Sequence, residues 1–214
     1  LAALDTSRFD AMCAKMRDLV LKAGIPEDVR ERILVAYRAM GPDCYVAVRS
    51  SATGEDGADA SFAGMNETYT NVRGEQDLIE AVQNCWASLF GPRVVSYRAS
   101  RGFTADPAMA VVVQLMIASE RSGVAFTADP TTDATDRVVV EGAFGQGEVV
   151  VSGSVEPDTY VVAKDSGEIL SRRMGFKSFK IIRGDDGKDK RVDLDESQAE
   201  AQVLNDDEVR LIAE

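Results

Sequence analysis

The fold is decided by two stretches of sequence, YVAVRSSAT at residues 45–53 and ASFAGMNET at residues 60–68. The apolar start of the first stretch predicts a strand over Tyr45–Arg49. Residues 50–66 are rich in Ser, Ala, Gly and Asp and predict a long loop, after which residues 67–73 predict the next strand. Long loops without periodicity inside a domain are typical of functional or disordered segments.

Arg49 stands at the junction between this strand and the loop. A guanidinium at a strand end can hold phosphate oxygens, while the hydroxyls and amides of a Gly- and Ser-rich loop add donors. Gly64 and its small neighbours would let backbone N–H groups approach an anion closely, although the loop lacks the GxxxxGK[ST] spacing of a P-loop. Two interpretations are equally compatible with this local chemistry. One is a phosphate site, and the other is a surface arginine beside a flexible linker.

Outward from these stretches, the first half of the chain predicts helices and the second half predicts strands. Apolar spacing predicts helices over residues 6–23, 26–40 and 75–101. β-branched runs predict strands over residues 108–117, 122–127, 137–143, 158–163 and 168–171, and Asp195 begins a helical ending. This order predicts an α+β protein of two lobes, with helices and a mainly antiparallel β-sheet.

Charge and composition exclude several classes of function. The 214 residues include 24 Lys and Arg against 36 Asp and Glu, a net charge of −12, which argues against a nucleic-acid partner or an anionic membrane surface. The chain contains no histidine. This removes Ser-His-Asp and Cys-His pairs and histidine metal sites, and it means that the chain cannot carry a phosphohistidine.

The cysteines and the hydropathy of the chain indicate the cellular compartment in which the protein lies. Cys13, Cys44 and Cys85 are widely spaced and form no CxxC motif, which favours free thiols in a reducing cytoplasm over a zinc or redox site. No apolar run approaches the ~20 residues that a membrane span needs. We therefore expect a cytoplasmic protein with no membrane partner.

Two polar residues interrupt apolar runs that predict buried strands. Glu141 follows three valines, and burying an unpaired carboxylate is costly. It lies either on the exposed face of an edge strand or against a ligand hydroxyl, metal or cation, and we favour the ligand. Gln114 in VVVQLMI either bonds an amine-bearing base or caps a strand edge.

Two further motifs have both a structural and a functional interpretation. Residues 171–191 hold eight Lys or Arg against three Asp, which is more typical of a solvated face than of a positive wall for a polyphosphate. The role of Lys177 in this segment stays open. Gly145-Gln146-Gly147 lacks the third glycine of a dinucleotide fingerprint and no helix is evident after it, so a tight turn is favoured.

Taken together, these stretches resemble the nucleotide-binding domain of the phosphoenolpyruvate synthase, pyruvate phosphate dikinase and rifampin phosphotransferase family. The resemblance rests first on residues 45–53 and 60–68. It continues in order through ASLF at 87–90, SYR at 96–98, VQLM at 113–116, SGVAFT at 122–127, GQGE at 145–148 and PD at 157–158. It covers roughly residues 40–180, and this ordered agreement is more specific than any single motif.

The resemblance implies an ATP-grasp-like fold that binds ATP and Mg²⁺ between two lobes, residues 1–115 and 116–214. By analogy, Arg49 holds the ATP phosphates and has the catalytic role. Gly64 and Thr68 lie in the loop that covers the phosphates and contribute a backbone amide and a hydroxyl.

The other implied site residues lie on the nucleoside side. Gln114, Leu115 and Met116 would form the adenine-side strand that links the lobes, and Glu141 would serve the nucleoside or the metal, with no metal ligand assigned. In this family a histidine on a separate swivelling domain takes the phosphoryl group from ATP and carries it to an acceptor-binding domain.

The sequence departs from the family's pattern in several places. Met65-Asn66 stands where members often have Gln-Gln. A lysine ahead of the first helices, and a Glu and a Gln-x-Arg-Pro segment beyond the last helix, have no counterpart in the chain. We therefore interpret the chain as a fragment, incomplete at both ends, that would not complete a turnover alone.

The resemblance is compatible with several functions. The favoured one is a fragment of an enzyme that converts ATP, pyruvate and water into AMP, phosphoenolpyruvate and phosphate. Rifampin-type antibiotic phosphotransferases and pyruvate phosphate dikinases are the enzymatic alternatives. A degenerate binding module of the same fold is the non-enzymatic one, and the presence of Arg49, Gly64, Thr68 and Gln114 argues against it.

Overall fold

The strands in the described part of the chain form three antiparallel sheets. The computed structural model describes residues 6–52, 67–102 and 108–214. The helices are α1 (Thr6–Ala23), α2 (Glu27–Ala39), α3 (Glu75–Ser88), α4 (Pro92–Ser100), α5 (Glu148–Val151), α6 (Glu196–Glu200) and α7 (Asp206–Ala213). The strands are β1 (Val46–Ala52), β2 (Thr68–Val72), β3 (Met109–Leu115), β4 (Arg121–Phe126), β5 (Arg137–Phe144), β6 (Asp158–Ala163), β7 (Ile169–Arg173), β8 (Phe179–Arg183) and β9 (Asp189–Asp193).

The chain divides into two compact units, Leu1–Met116 (unit 1) and Ile117–Glu214 (unit 2). Each unit combines helices with antiparallel strands, which confirms the α+β prediction. The assignment of residues 1–115 and 116–214 as the lobes of an ATP-grasp-like domain stays a prediction.

Unit 1 is built on a three-stranded sheet in the order β2-β1-β3, with α3 packed against one face. The apolar residues of α3 recur at helical spacing, so Leu78, Val82 and Cys85 form one buried stripe. Val46 and Val48 alternate along β1 and point toward that stripe, since successive strand residues face opposite sides.

The first strand is longer than its apolar residues predict. Ser50, Ser51 and Ala52, which the composition placed in the loop, continue β1 because they pair with Val111, Ala110 and Met109 of β3. The prediction of a loop beginning at residue 50 is therefore wrong for these three residues. Residues 53–66 of that loop lie outside the described part of the chain.

Unit 2 is built on a four-stranded sheet in the order β4-β5-β6-β7, and β8 and β9 pair as a separate hairpin. Helix α7 covers one face of the larger sheet by packing Val209 on Val138, Val140, Tyr160 and Val162. A capping box starts α7: the Asn205 side chain accepts from the Glu208 N–H, and the Glu208 side chain accepts from the Asn205 N–H.

One short helix of unit 2 was missed by the sequence pattern. The four residues of α5 follow Gly147, where the sequence showed no helix. Val149 and Val150 of this helix are buried, so packing forms a turn too short to show an apolar period. None of the described helices is long and apolar enough to cross a membrane.

Candidate nucleotide-binding face

The exposed face of the unit 1 sheet brings together three of the predicted site residues. Arg49 of β1 lies directly opposite Thr68 of β2 and Val112 of β3, and Ala47 lies opposite Gln114. Directly opposed residues in an antiparallel pair point to the same side, and so do residues two positions apart on one strand. Arg49, Thr68 and Gln114 therefore share one face of the sheet.

These three side chains are exposed, and an apolar residue on the same face lies next to two of them. Val112, which is 47% exposed, lies between Arg49 and Gln114 in the strand register. Within the described residues the Arg49 guanidinium makes no hydrogen bond and no ion pair. An arginine that a protein holds on a sheet face without a partner is free to bind an anion bidentately.

Ser50 fixes the strand that carries Thr68, and the sequence did not identify it. Its hydroxyl accepts a hydrogen bond from the Glu67 N–H at 2.9 Å, and its own N–H donates to the Glu67 carbonyl at 3.0 Å. Ser50 is only 6% exposed, since it continues the inward row of Val46 and Val48. That alternation is the signal from which its position could have been found.

Leu115 and Met116 are placed differently from Gln114. Leu115 is opposite Val46, so it points away from the Arg49 face, and it is 51% exposed. Met116 follows the end of β3 and donates its N–H to the Tyr45 carbonyl at 2.8 Å. Gly64 lies outside the described residues, so its contact with phosphate stays a prediction.

Glu141 belongs to unit 2 and lies on β5, between β4 and β6. The interpretation of Glu141 as a residue of an edge strand is therefore wrong. Its side chain is half-buried and lies opposite Val124 and Thr159. No described residue forms a hydrogen bond or ion pair with its carboxylate.

None of the strands of this sheet, β1, β2 and β3, contains a cysteine. Cys13, Cys44 and Cys85 are all free thiols, as the sequence predicted. Burial, with a smaller contribution from the charge of Glu67, raises the pKa of Cys85 to about 11. A thiol with that pKa is protonated at neutral pH and is a poor nucleophile.

Half of the eight basic residues in the segment 171–191 are paired with acidic residues in unit 2. Four of its charges form ion pairs with acidic side chains: Arg172–Asp206, Arg173–Glu156, Lys177–Asp158 and Arg191–Asp193. Arg172, Arg173 and Arg191 are exposed, as the interpretation of a solvated face predicted, whereas that interpretation is wrong for Lys177, which is fully buried. Lys180 forms no such pair within the described residues.

No metal centre is evident in the part of the chain that the structure describes. No three His, Cys, Asp or Glu side chains converge there in a way that could hold a metal ion.

Comparison with known proteins identifies the family of the chain. The whole chain, residues 1–214, matches the family model described as "Pyruvate phosphate dikinase, AMP/ATP-binding domain". A probable phosphoenolpyruvate synthase of Archaeoglobus fulgidus is 45% identical over 96% of this chain, and one of Methanocaldococcus jannaschii is 41% identical over 100% of it. A phosphoenolpyruvate synthase of Deinococcus radiodurans is 40% identical over 100% of the chain.

These relatives are much longer than the chain. It spans 28% of the Archaeoglobus protein, 19% of the Methanocaldococcus protein and 29% of the Deinococcus protein. The match over every residue nevertheless confirms the resemblance seen in the ordered motifs. The chain belongs to the family of pyruvate phosphate dikinase AMP/ATP-binding domains.

Proposed function

We propose that this chain is the ATP-binding part of a phosphoenolpyruvate synthase. The observation that carries the proposal is the exposed guanidinium of Arg49, which has no partner among the described residues and shares a sheet face with Thr68 and Gln114. Membership of the AMP/ATP-binding family and the names of the relatives support it.

The side chains of the face suit successive parts of a nucleotide. Arg49 would neutralise and orient phosphate oxygens, which is the main contribution that a protein makes to phosphoryl transfer. The Thr68 hydroxyl would donate to the same phosphates, and the Gln114 amide can both donate to and accept from an amine-bearing base. The Gly64 amide belongs to the proposal on the resemblance alone.

The remaining predicted residues have supporting roles. Met116 and Leu115 would form the end of the adenine-side strand. Glu141, a half-buried carboxylate on β5 without a partner among the described residues, would accept hydrogen bonds from ribose hydroxyls.

The complete reaction needs groups that this chain does not contain. In the proposed reaction ATP gives a phosphoryl group to a histidine, which passes it to pyruvate. The chain has no histidine, so the carrier must belong to another part of the protein. The names of the relatives favour pyruvate over an antibiotic as the acceptor. A cytoplasmic location is part of the proposal because free thiols suit a reducing compartment.

Mg²⁺ accompanies nucleotide phosphates in phosphoryl transfer. Because the described residues form no cluster of metal ligands, we assign Mg²⁺ no ligand in this chain and no step through it.

Calorimetric titration with ATP and with adenosine tests the proposal. Arg49→Ala should weaken ATP binding by about tenfold or more, because a charged hydrogen bond to phosphate contributes ~1.5–3 kcal/mol. It should leave adenosine binding unchanged. Arg93→Ala, which removes an exposed arginine of α4, is the matched control and should bind ATP like the unaltered chain.

Two results would contradict the proposal. If ATP does not bind to the unaltered chain, this part of the protein is not an ATP site by itself. If Arg49→Ala and Arg93→Ala bind ATP equally, the Arg49 face does not hold the phosphates.

A further inference from the structure

The strand that carries Thr68 is irregularly paired. Among the described strands, β2 pairs with β1 alone. Val72 lies opposite Val46 at one end of this pairing. Tyr69 lies opposite Val48, so β2 has one residue more than β1 between these two pairs, which is a β-bulge. The pair before the bulge therefore does not set the register at the Thr68 end of the strand.

The register of β2 decides whether Thr68 can serve the nucleotide. Because side chains alternate between the two faces of a strand, a slip of one residue would move Thr68 to the face opposite Arg49. Ser50 and Glu67, which form the next contact beyond Thr68, are 17 positions apart in sequence. This separation is too long for a tight hairpin turn to fix the register.

Ser50 binds the backbone of the residue directly before Thr68. Its N–H donates to the Glu67 carbonyl at 3.0 Å, and its hydroxyl donates to the same carbonyl at 3.2 Å. The hydroxyl also accepts from the Glu67 N–H at 2.9 Å. A serine hydroxyl can donate and accept at once, so one residue holds both backbone groups of Glu67. In a regular antiparallel ladder a backbone carbonyl would accept from that N–H.

The position of Ser50 separates it from any ligand on the Arg49 face. Successive residues of a strand point to opposite faces, so the Ser50 side chain points away from that face. Ser50 is only 6% exposed and continues the inward row of Val46 and Val48. Its hydroxyl can therefore influence a nucleotide on the Arg49 face only by placing other residues.

We infer that Ser50 is a positioning residue of the nucleotide face: its hydroxyl holds the Glu67 backbone in the register that places the Thr68 hydroxyl beside Arg49. This role rests on the proposed function, which makes Thr68 a donor to phosphate oxygens. Ser50 touches no ligand and nevertheless sets the affinity for the phosphate part of the nucleotide.

Calorimetric titration of the whole chain with ATP and with adenosine tests this role. Ser50→Ala should weaken ATP binding by about three- to tenfold, because a displaced Thr68 hydroxyl loses much of a hydrogen bond to a charged group. Adenosine binding should be unchanged. Ser88→Ala is the matched control and should bind ATP like the unaltered chain. Ser88 is also buried in unit 1, at 5% exposed, and its hydroxyl also bonds a backbone carbonyl, that of Cys85 at 2.6 Å.

A double variant shows whether Ser50 acts through Thr68. Thr68→Val removes the hydroxyl and keeps a β-branched side chain that suits a strand. When that hydroxyl is absent, Ser50→Ala should weaken ATP binding no further, within about twofold. If the losses of the two single variants instead multiply in the double variant, Ser50 does not act by positioning Thr68.

Amide hydrogen exchange followed by NMR tests the contact without any ligand. Ser50→Ala should speed exchange of the Glu67 amide by about tenfold, because its N–H loses the hydroxyl acceptor. The amides of α3 should keep their rates, which shows that unit 1 stays folded. Equal exchange of the Glu67 amide in Ser50→Ala and Ser88→Ala would overturn the inference.

Failure of this role and failure of the proposed function give different results. Weaker ATP binding in Arg49→Ala, together with equal ATP binding in Ser50→Ala and Ser88→Ala, would keep the nucleotide face and reject the role of Ser50. Equal ATP binding in Arg49→Ala and Arg93→Ala would reject the nucleotide face, and with it any effect of Ser50 on binding, even where the exchange of the Glu67 amide responds.

Discussion

Lys177 and Asp158 form an ion pair that is fully inaccessible to solvent inside unit 2. The Lys177 ammonium donates to Asp158 Oδ1 at 2.5 Å and to the Gly175 carbonyl at 3.0 Å. Asp158 also accepts from the N–H groups of Gly175 and Val203. Because a buried charge is tolerated only when it is paired and hydrogen-bonded, these contacts explain how a lysine of the basic segment can lie in the interior.

We predict that Lys177→Met destabilises unit 2 by ~3–5 kcal/mol, since it leaves the Asp158 carboxylate buried without its counter-ion. The double variant Lys177→Met/Asp158→Asn should recover part of this loss. Urea unfolding followed by circular dichroism measures both. Lys164→Met, at an exposed position, is the control and should stay within about 0.5 kcal/mol of the unaltered chain. Equal losses of unfolding free energy in Lys177→Met and Lys164→Met would show that the Lys177–Asp158 pair has no structural role.

Glu208 gives the stability of unit 2 a dependence on pH. Both guanidinium Nη atoms of Arg121 donate to its carboxylate at 2.8 Å, and these bonds, followed by the Asn205 N–H, lower the pKa of Glu208. In the unfolded chain the carboxyl titrates at its ordinary value of about 4.3. The stabilising contribution is therefore complete above that value and is lost as the pH falls through the lower folded pKa.

We predict that Glu208→Gln is less stable than the unaltered chain at neutral pH and that this difference shrinks below about pH 4, where the native carboxylate becomes protonated. Thermal unfolding at a series of pH values from neutral to acid measures the difference. Asp165→Asn, in the exposed β6–β7 turn, should show no such trend. A difference that stays constant across the series would mean that Glu208 does not act through its charge.

At the scale of elements, β1 shows what local sequence can and cannot predict. The apolar residues 45–48 predicted the strand, because β-branched and alternating residues suit a half-buried sheet. Ser50–Ala52 did not carry that signal, and their strand conformation comes from pairing with β3. Strand pairing between distant segments is not encoded in a local window, so the end of the strand was misplaced.

The turn after β5 is an element that depends on one glycine. Gly145 combines a φ of +83° with close contact to Ile181, whereas Gly153 has a φ of +65° and nothing within 4 Å of its Cβ position. Gly153→Ala should therefore lower the free energy of unfolding by only the ~1–2 kcal/mol that a left-handed backbone conformation costs a residue with a Cβ. We predict that Gly145→Ala costs more by a further ~1–3 kcal/mol, because the overlap forces the turn away from β8.

Urea unfolding of the two alanine variants measures this difference directly. The Gly153 variant controls for backbone conformation, so the excess loss in the Gly145 variant reports the contact with β8. Equal losses of unfolding free energy in the two variants would show that the turn can move away from β8 without a loss of stability.

At the scale of the whole molecule, the sequence predicted the class of the fold better than the site. The strands predicted at 122–127, 137–143 and 158–163 lie within one residue of β4, β5 and β6. Their β-branched runs are local signals. The predicted site residues came from single positions in different strands, and only strand register shows that Arg49 faces Thr68 while Leu115 faces away.

Features that depend on long-range packing could not be predicted. The burial of Lys177 depends on β6 and on the segment before α7, which are distant in sequence. The residue type alone favoured a solvated surface for Lys177, since Lys is almost never buried unless it is paired.

The central claim is that the sheet face of Arg49, Thr68 and Gln114 holds a nucleotide, with its phosphates at Arg49 and Thr68. Two-dimensional ¹H–¹⁵N NMR during titration with ATP, and separately with adenosine, tests it most directly because it locates the ligand. The account predicts that ATP shifts the amide signals of Arg49 and Thr68, that adenosine does not, and that Arg49→Ala removes the ATP-specific shifts. Amide shifts from ATP that leave β1 and β2 unchanged would contradict it.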